Sequence, residues 1–263
     1  MKRASPLLCS VSLGLFAFLY APILVVVLFS FNAARFGSGW KGFTLEWYST
    51  LFQNPLALDA LRNTLVLAAG STLVSTVIGT MLGYALRRYE FPGSRALSRL
   101  LHVPVFVPDV VMAVSLLLLF KLLRQWLGIF ELGLMTMAIG HVTFQIPFVA
   151  IIVRSRMAGL DPALEEAAHD LGANARQVFQ HVTLPLMMPG VLAGAMLAFT
   201  LSLDDFVVSF FTSGPGSTTL PILIYSSVKR GVTPDINALS TLLIALSAAA
   251  TVTVTLLQRR PRS

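Results

Sequence analysis

Residues 161–185 read DPALEEAAHDLGANARQVFQHVTLP and lie between two apolar runs, 134–153 and 187–211. Asp161-Pro162 predicts a helix start: the aspartate caps, and proline takes the first helical position, where its missing N–H is no loss. The helix, about 162–171, sets Leu164, Ala167, Ala168 and Leu171 at helical spacing, with Glu165, Glu166, His169 and Asp170 as its polar residues. Gly172 supplies a left-handed stop. A second helix opens at once, with Asn174 as cap and Gln177 three residues later as its capping-box partner. Val178, Phe179 and Val182 follow, and Leu184-Pro185 is expected to end that helix near the membrane. Such a pair of helices, with small apolar residues on show, fits a groove in a partner protein or packs on itself along a bilayer. Local chemistry leaves both readings open.

Outward from this stretch, the chain is overwhelmingly apolar. Its 263 residues are 56% hydrophobic and 12% charged, where soluble domains average about 45–50% and about 25%. Six segments approach the roughly 20 apolar residues that cross a bilayer: 7–31, 64–86, 100–120, 134–153, 187–211 and 238–257. The fold class is therefore an all-α membrane protein, with 1–263 read as a single transmembrane domain. The first run is too long for the apolar core of a cleavable signal, about 7–15 residues, and reads as a retained span. With the N-terminus inside, inner segments carry twelve Lys and Arg and outer segments seven, the densest cluster being Arg87 to Arg99. Both termini and the loop 154–186 are then cytoplasmic. One cysteine, Cys9, excludes a disulfide scaffold and a thiolate metal site. The 19 basic residues form no dense patch interleaved with aromatics, so the partner is lipid and not nucleic acid.

Two outer loops stand out. Residues 44–61 include Trp47 and Tyr48 with few charges, as an interfacial segment or a packed loop helix would. Residues 213–221 carry Gly214, Pro215, Gly216 and Pro221 without periodicity, and read as a mobile or ligand-facing loop.

The run Glu166-Ala167-Ala168, then Gly172, then Val182-Thr183-Leu184-Pro185, resembles the EAA signature of ABC importer permeases; Val182 replaces the usual isoleucine. Further stretches look like the polyamine branch of that family. They include Phe18 to Pro22, Ser30-Phe31-Asn32, Ser202 to Phe206, Tyr225 to Val228 and Gly231 to Ala238. Taken together, the chain is similar to the second permease subunit of putrescine or spermidine importers. The resemblance implies a type I importer permease in the bacterial inner membrane, with 154–186 as its coupling loop. Glu165, Glu166, Ala167, Ala168, Asp170, Gly172, Leu184 and Pro185 are then the residues that meet an ATPase. It also implies a homologous permease, two cytoplasmic ATPase subunits and a periplasmic polyamine-binding protein as partners. The chain has no G-x-x-x-x-G-K-[ST] phosphate loop. ATP is accordingly expected on the partner subunits, with no cofactor and no catalytic residue here.

An ionisable side chain at the centre of a membrane helix costs roughly 2.5–3.5 kcal/mol on insertion scales, so each is a functional candidate. Asp204 and Asp205 stand in the outer half of the fifth segment. Adjacent helical residues point about 100° apart. One is thus expected to line the substrate path while the other pairs with a neighbour or caps a helix break; the residues themselves do not rank the two, and the family resemblance alone slightly favours Asp205 as the path residue. Asp109 follows Pro108 and reads as a helix restart. His141 and Gln145, four apart, read as a pair bonding between helices. Gly79/Gly83 and Gly190/Gly194 have the spacing of close helix packing. A rival reading is an ion-coupled secondary carrier using the aspartates, although such carriers show duplicated halves and no internal repeat is visible. A third reading is an intramembrane enzyme, for which the sequence offers no serine or metal constellation with plausible spacing; co-purification of an ATPase separates the permease from both rivals.

Overall fold

The computed structural model describes residues 6–34, 39–230 and 234–258. In chain order its helices are α1 (Pro6–Phe29), α2 (Glu46–Gln53), α3 (Pro55–Arg88), α4 (Ser94–Leu100), α5 (Val103–Phe106), α6 (Asp109–Leu127) and α7 (Leu134–Ala158). There follow α8 (Ala163–Asp170), α9 (Ala175–Val178), a π-helical turn Phe179–Thr183, α10 (Leu184–Leu203), α11 (Val207–Thr212), α12 (Leu220–Arg230) and α13 (Pro234–Gln258). Among the described residues the one β-like contact is an isolated bridge, Asn32 to Phe43.

Five of these stretches are long and apolar enough to cross a membrane: Ser10–Phe29, Pro55–Arg88, Asp109–Leu127, Leu134–Ala158 and Ala175–Leu203. The sixth expected span, 238–257, falls in α13, whose described apolar part is Pro234–Ala249. Lys2, Arg3, Arg35, Arg259, Arg260 and Arg262, which enter the charge count, lie outside the described residues.

The chain divides into two compact units, residues up to 59 with 223–246, and 60–222 with the residues from 247 onward. In the first unit, α1 exposes its large apolar side chains all round, from Val11 to Leu28. A helix without a polar face is built for hydrocarbon. Beyond α1, Asn32 is fully buried and bonds to Ala34, Gly39, Lys41 and Trp47. Its Oδ1 accepts from Ala34 and Lys41 N–H, its Nδ2 donates to the Gly39 carbonyl, and Trp47 Nε1 donates to the Asn32 carbonyl at 2.7 Å. Tyr48 hydroxyl meets Ser30 Oγ at 2.8 Å. Segment 44–61 is therefore a packed structure of α2 and the start of α3. Asn54-Pro55 starts α3 by the same chemistry as Asp161-Pro162, Asn54 Oδ1 accepting from Leu56 N–H at 3.0 Å.

The second unit is organised around α7, half of whose apolar window is buried. Val149, Val153, Met157, Met187 and Ala198 form its main core cluster. Two glycine pairs let α3 and α10 close on α7. A Cβ on Gly79 would stand 2.7 Å from Val149 Cβ, one on Gly83 2.6 Å from the Ala150 carbonyl, and one on Gly190 2.6 Å from Arg156 Cβ. These spacings are packing, as the sequence suggests.

Three expectations are corrected. The third span begins at Asp109 rather than near 100, because Pro108 holds Val107 extended (ψ 130°) and splits the segment into α4, α5 and α6. Leu184-Pro185 does not end the second loop helix. The π turn Phe179–Thr183 absorbs the proline, and the helix runs on from Ala175 to Leu203. Residues 213–221 are tied down by hydrogen bonds, which answers the mobile alternative and leaves the ligand-facing one open. Ser217 Oγ donates to the Gly214 carbonyl and accepts from its N–H, Asn63 Nδ2 donates to the carbonyls of Gly216 and Thr218, and Leu220 N–H donates to Thr64 Oγ1.

Candidate functional site

The loop between α7 and α10 is assembled from short-range bonds. Asp161 Oδ1 accepts from Ala163 N–H at 3.0 Å. Gly172 adopts φ +87°, with Gly172 N–H bonded to the His169 carbonyl and Ala173 N–H to the Ala168 carbonyl. That is a Schellman closure of α8. Asn174 and Gln177 exchange both bonds of a capping box, at 3.0 and 2.9 Å. Glu165 turns inward: Arg88, at the end of α3, meets one carboxylate oxygen at 2.8 Å, and Thr183 hydroxyl donates to the other at 2.7 Å. Leu184 packs against the Val149–Met187 core, and Pro185 is exposed at the start of α10. Glu166, Ala167 and Asp170 face outward, Ala168 is half-buried, and Leu171 is 90% exposed. Ala168, Leu171, Gly172, Val178, His181 and Val182 line a shallow groove of about 360 Å³. The eight residues expected to meet an ATPase thus split: Glu165 and Leu184 hold the loop to the bundle, and the others form or flank its outer surface.

At the far end of the 175–203 helix the backbone breaks. α10 stops at Leu203, and α11 restarts at Val207. Asp205 spans the gap, its Oδ2 accepting from Ser209 N–H at 2.8 Å and its Oδ1 from Val208 N–H at 3.3 Å. Freed backbone donors inside a membrane must find such partners. His141 Nε2 lies 3.2 Å from Asp205 Oδ2, with His141 fully buried and the Asp205 side chain 10% exposed. A continuous polar chain leads away from this pair. Its contacts are satisfied when Ser75 donates to Gln145 Oε1 (2.8 Å), Gln145 Nε2 to Ser71 (3.2 Å), Ser71 to Ser202 (3.3 Å) and Ser202 to His141 Nδ1 (2.7 Å). His141 and Gln145 are therefore the inter-helix pair the sequence suggests. The serines that complete the chain were not singled out by sequence; the repeat of Ser71, Ser75 and Gly79 along one face of α3 is the signal that marks them.

Beside the break lies a cavity of about 420 Å³. Asp109, Asp204 and Asp205 line it with Phe144, Phe148 and Phe206. Asp109 stands in the first turn of α6, where the helix restarts after Pro108, and it lines this cavity. Asp109 and Asp204 are exposed and form no ion pair among the described residues. Asp204 and Asp205, adjacent in sequence, thus have different surroundings. The lining contains three carboxylates and no basic side chain.

Residues 75–261 match the family model described as "Binding-protein-dependent transport system inner membrane component". The chain is 45% identical over 246 residues to the spermidine/putrescine transport system permease protein PotC of Escherichia coli K12, covering 94% of this chain and 91% of the relative. It is 43% identical over 231 residues to the putrescine transport system permease protein PotI of the same strain, covering 87% and 82%. Among solved structures, a bacterial ABC transporter involved in the import of the acidic polysaccharide alginate aligns with TM-score 0.76 at 19% identity, covering 98% of this chain and 95% of that one. That likeness shows a shared permease fold. Family membership sets aside the reading as an ion-coupled carrier and makes this a transport subunit rather than an enzyme. The chain belongs to the binding-protein-dependent inner membrane components, the multi-pass permease subunits of ABC importers.

Proposed function

We propose that this chain forms half of the translocation path of an ATP-driven importer that carries a polyamine, putrescine and/or spermidine, from periplasm to cytoplasm. The acidic cavity at the α10–α11 break carries the reading. A polyamine is a flexible polycation: carboxylates pair with its ammonium groups, phenylalanine faces attract the same charges, and the methylenes between them pack on the rings. The names of the relatives at 45% and 43% identity point to the same cargo. Asp204, with Asp109, is assigned to the cargo, and Asp205 to the architecture of the break. This reverses the initial preference for Asp205, whose oxygens are taken up by His141 and two backbone amides.

The homologous permease supplies the other half of the path, and a periplasmic polyamine-binding protein delivers substrate. Two cytoplasmic ATPase subunits bind ATP, one of them engaging Glu166, Ala167, Asp170 and the Gly172 turn. The chain itself carries no cofactor. Movement of the loop reaches Asp204 directly, because one unbroken helix of about 44 Å, at 1.5 Å per residue, joins the two. Six crossings place both termini in the cytoplasm.

Uptake of radiolabelled putrescine and spermidine by Asp204→Asn tests the cargo assignment. A charged contact of about 1.5–3 kcal/mol predicts a ten- to hundredfold rise in apparent KM with ATPase assembly intact. Parental uptake would remove the cavity from the path. Orientation is tested on a Cys9→Ser background with an impermeant thiol reagent. Thr218→Cys, exposed on the fixed outer loop, should label in whole cells. Asn174→Cys should label only after the membrane is opened; the reverse pattern inverts the topology.

A further inference from the structure

A cavity of about 920 Å³ lies at the corner between α3 and α4, away from the acidic cavity and the α8–α9 groove. Arg87, Arg88, Arg95, Arg99 and Arg154 line it against one carboxylate, Glu90. Arg88 is engaged by Glu165, and Arg154 donates to Ser98 Oγ, tying the end of α7 to α4. Arg87, Arg95 and Arg99 form no ion pair among the described residues. We infer that this corner binds the phosphate of an anionic phospholipid headgroup.

Three features favour a lipid. Several guanidinium groups around one concavity repel one another, and a phosphate oxygen set satisfies them with paired, charge-assisted bonds. The corner sits where two membrane-length helices end, Arg87 and Arg88 in the last turn of α3 and Arg154 near the end of α7. Lipid phosphates lie at that level. The rim carries two exposed aromatic side chains, Tyr89 at 58% and Phe91 at 37%. Acyl chains attached to the phosphate would cover that rim, whereas a free phosphate would leave it bare. An acidic protein segment would match the arginines but gains nothing from an aromatic rim at bilayer depth. The inference does not depend on the cargo.

The test uses the assembled importer in detergent and fluorescent phosphatidylglycerol, with phosphatidylcholine as reference. Replacing Arg87, Arg95 and Arg99 together by Gln should weaken phosphatidylglycerol binding about a hundredfold and leave phosphatidylcholine binding unchanged. Millimolar inorganic phosphate should not displace the lipid. Displacement by phosphate alone would overturn the lipid assignment, as would an unchanged affinity in the triple variant. Loss of the ATPase subunits from the variant with lipid affinity intact would make the corner a protein contact and overturn it too. Should the variant fail to insert, a photoactivatable phosphatidylglycerol on the unaltered protein decides. Label in residues 86–99, competed by phosphatidylglycerol and not by phosphatidylcholine, is expected, and label confined elsewhere refutes the site.

Discussion

The two ends of the helix from Ala175 to Leu203 are built by different means. At its start, every bond that shapes the α8–α9 turn spans five residues or fewer: Asp161 to Ala163, Ala168 to Ala173, Asn174 to Gln177. At its finish, the bonds that hold His141 and Gln145 span between 53 and 74 residues. The first end carries its shape in the local chain and is pinned to the bundle mainly through Glu165 and Leu184. Its outer surface stays exposed, as a surface meant for a partner must be. The second end adds distant partners to a local cap, Asp205 on the amides of Val208 and Ser209. Four helices converge to bury a histidine, a glutamine and a carboxylate, which hydrocarbon would otherwise reject. That rigid frame leaves Asp204 and Asp109 exposed beside it.

Breaking the local end should have the largest effect. Gly172 has φ +87° with nothing within 4 Å of where a Cβ would sit. A substitution there is therefore opposed by backbone conformation and not by crowding. Gly172→Val places a β-branched residue in the left-handed region, costing roughly 1–2 kcal/mol or more, and should unmake the turn. Transport is expected to vanish while the protein still inserts and the homologous permease still co-purifies. Asparagine tolerates that conformation, so Gly172→Asn should retain a measurable fraction of uptake. Equal loss in both variants would mean that a partner occupies the open space, and the turn's own conformation would cease to be the explanation.

The distant end should fail differently. Asp205→Asn removes a charge bonded to His141 and two backbone amides, a loss of about 1.5–3 kcal/mol for a charged hydrogen bond. The expected readout is a lower thermal midpoint and a smaller yield of assembled complex, with nearly parental apparent KM in what survives. Asp204→Asn should show the opposite split, normal assembly and raised KM. Were the two variants indistinguishable, the division of labour between the adjacent carboxylates would be wrong.

The same contrast explains what the sequence discloses. The caps at Asp161 and Asn174, the stop at Gly172 and the glycine pairs are legible because each rule needs only a few neighbouring residues. The break at Asp204-Asp205 is legible as an anomaly of charge, but its wiring is not. Nothing near Asp205 in the chain indicates His141, and nothing near Gly214 indicates Asn63, 153 residues from the carbonyl of Gly216 that it binds. The loop 213–221 therefore reads as mobile or ligand-facing, with no hint of the hydrogen bonds that pin it. The convergence of Asp109 with Asp204 and Phe144 is likewise a product of packing. Two local signals go unread, the Ser71, Ser75, Gly79 repeat and Asn54-Pro55, and the second moves the start of α3 nine residues upstream of the expected 64.

The smallest effect is expected where the local end meets the bundle. Arg88 and Glu165 form an ion pair at 2.8 Å, but the arginine side chain is 46% exposed and the glutamate 18%. Partly exposed pairs of this kind contribute about 0–1 kcal/mol. Glu165→Gln keeps an oxygen that accepts from Thr183 and removes only the charge, so it isolates the ion pair from the hydrogen bond. Uptake should fall no more than about fivefold, which is what 1 kcal/mol allows, and raised salt should narrow the difference between variant and parent. Glu165→Ala, which also abandons the Thr183 hydroxyl, should do more, since the buried Thr183 then loses its acceptor. If Glu165→Gln alone abolishes transport, the carboxylate acts on the ATPase itself and not as a clip to α3, and the inward placement of Glu165 would not describe the working complex.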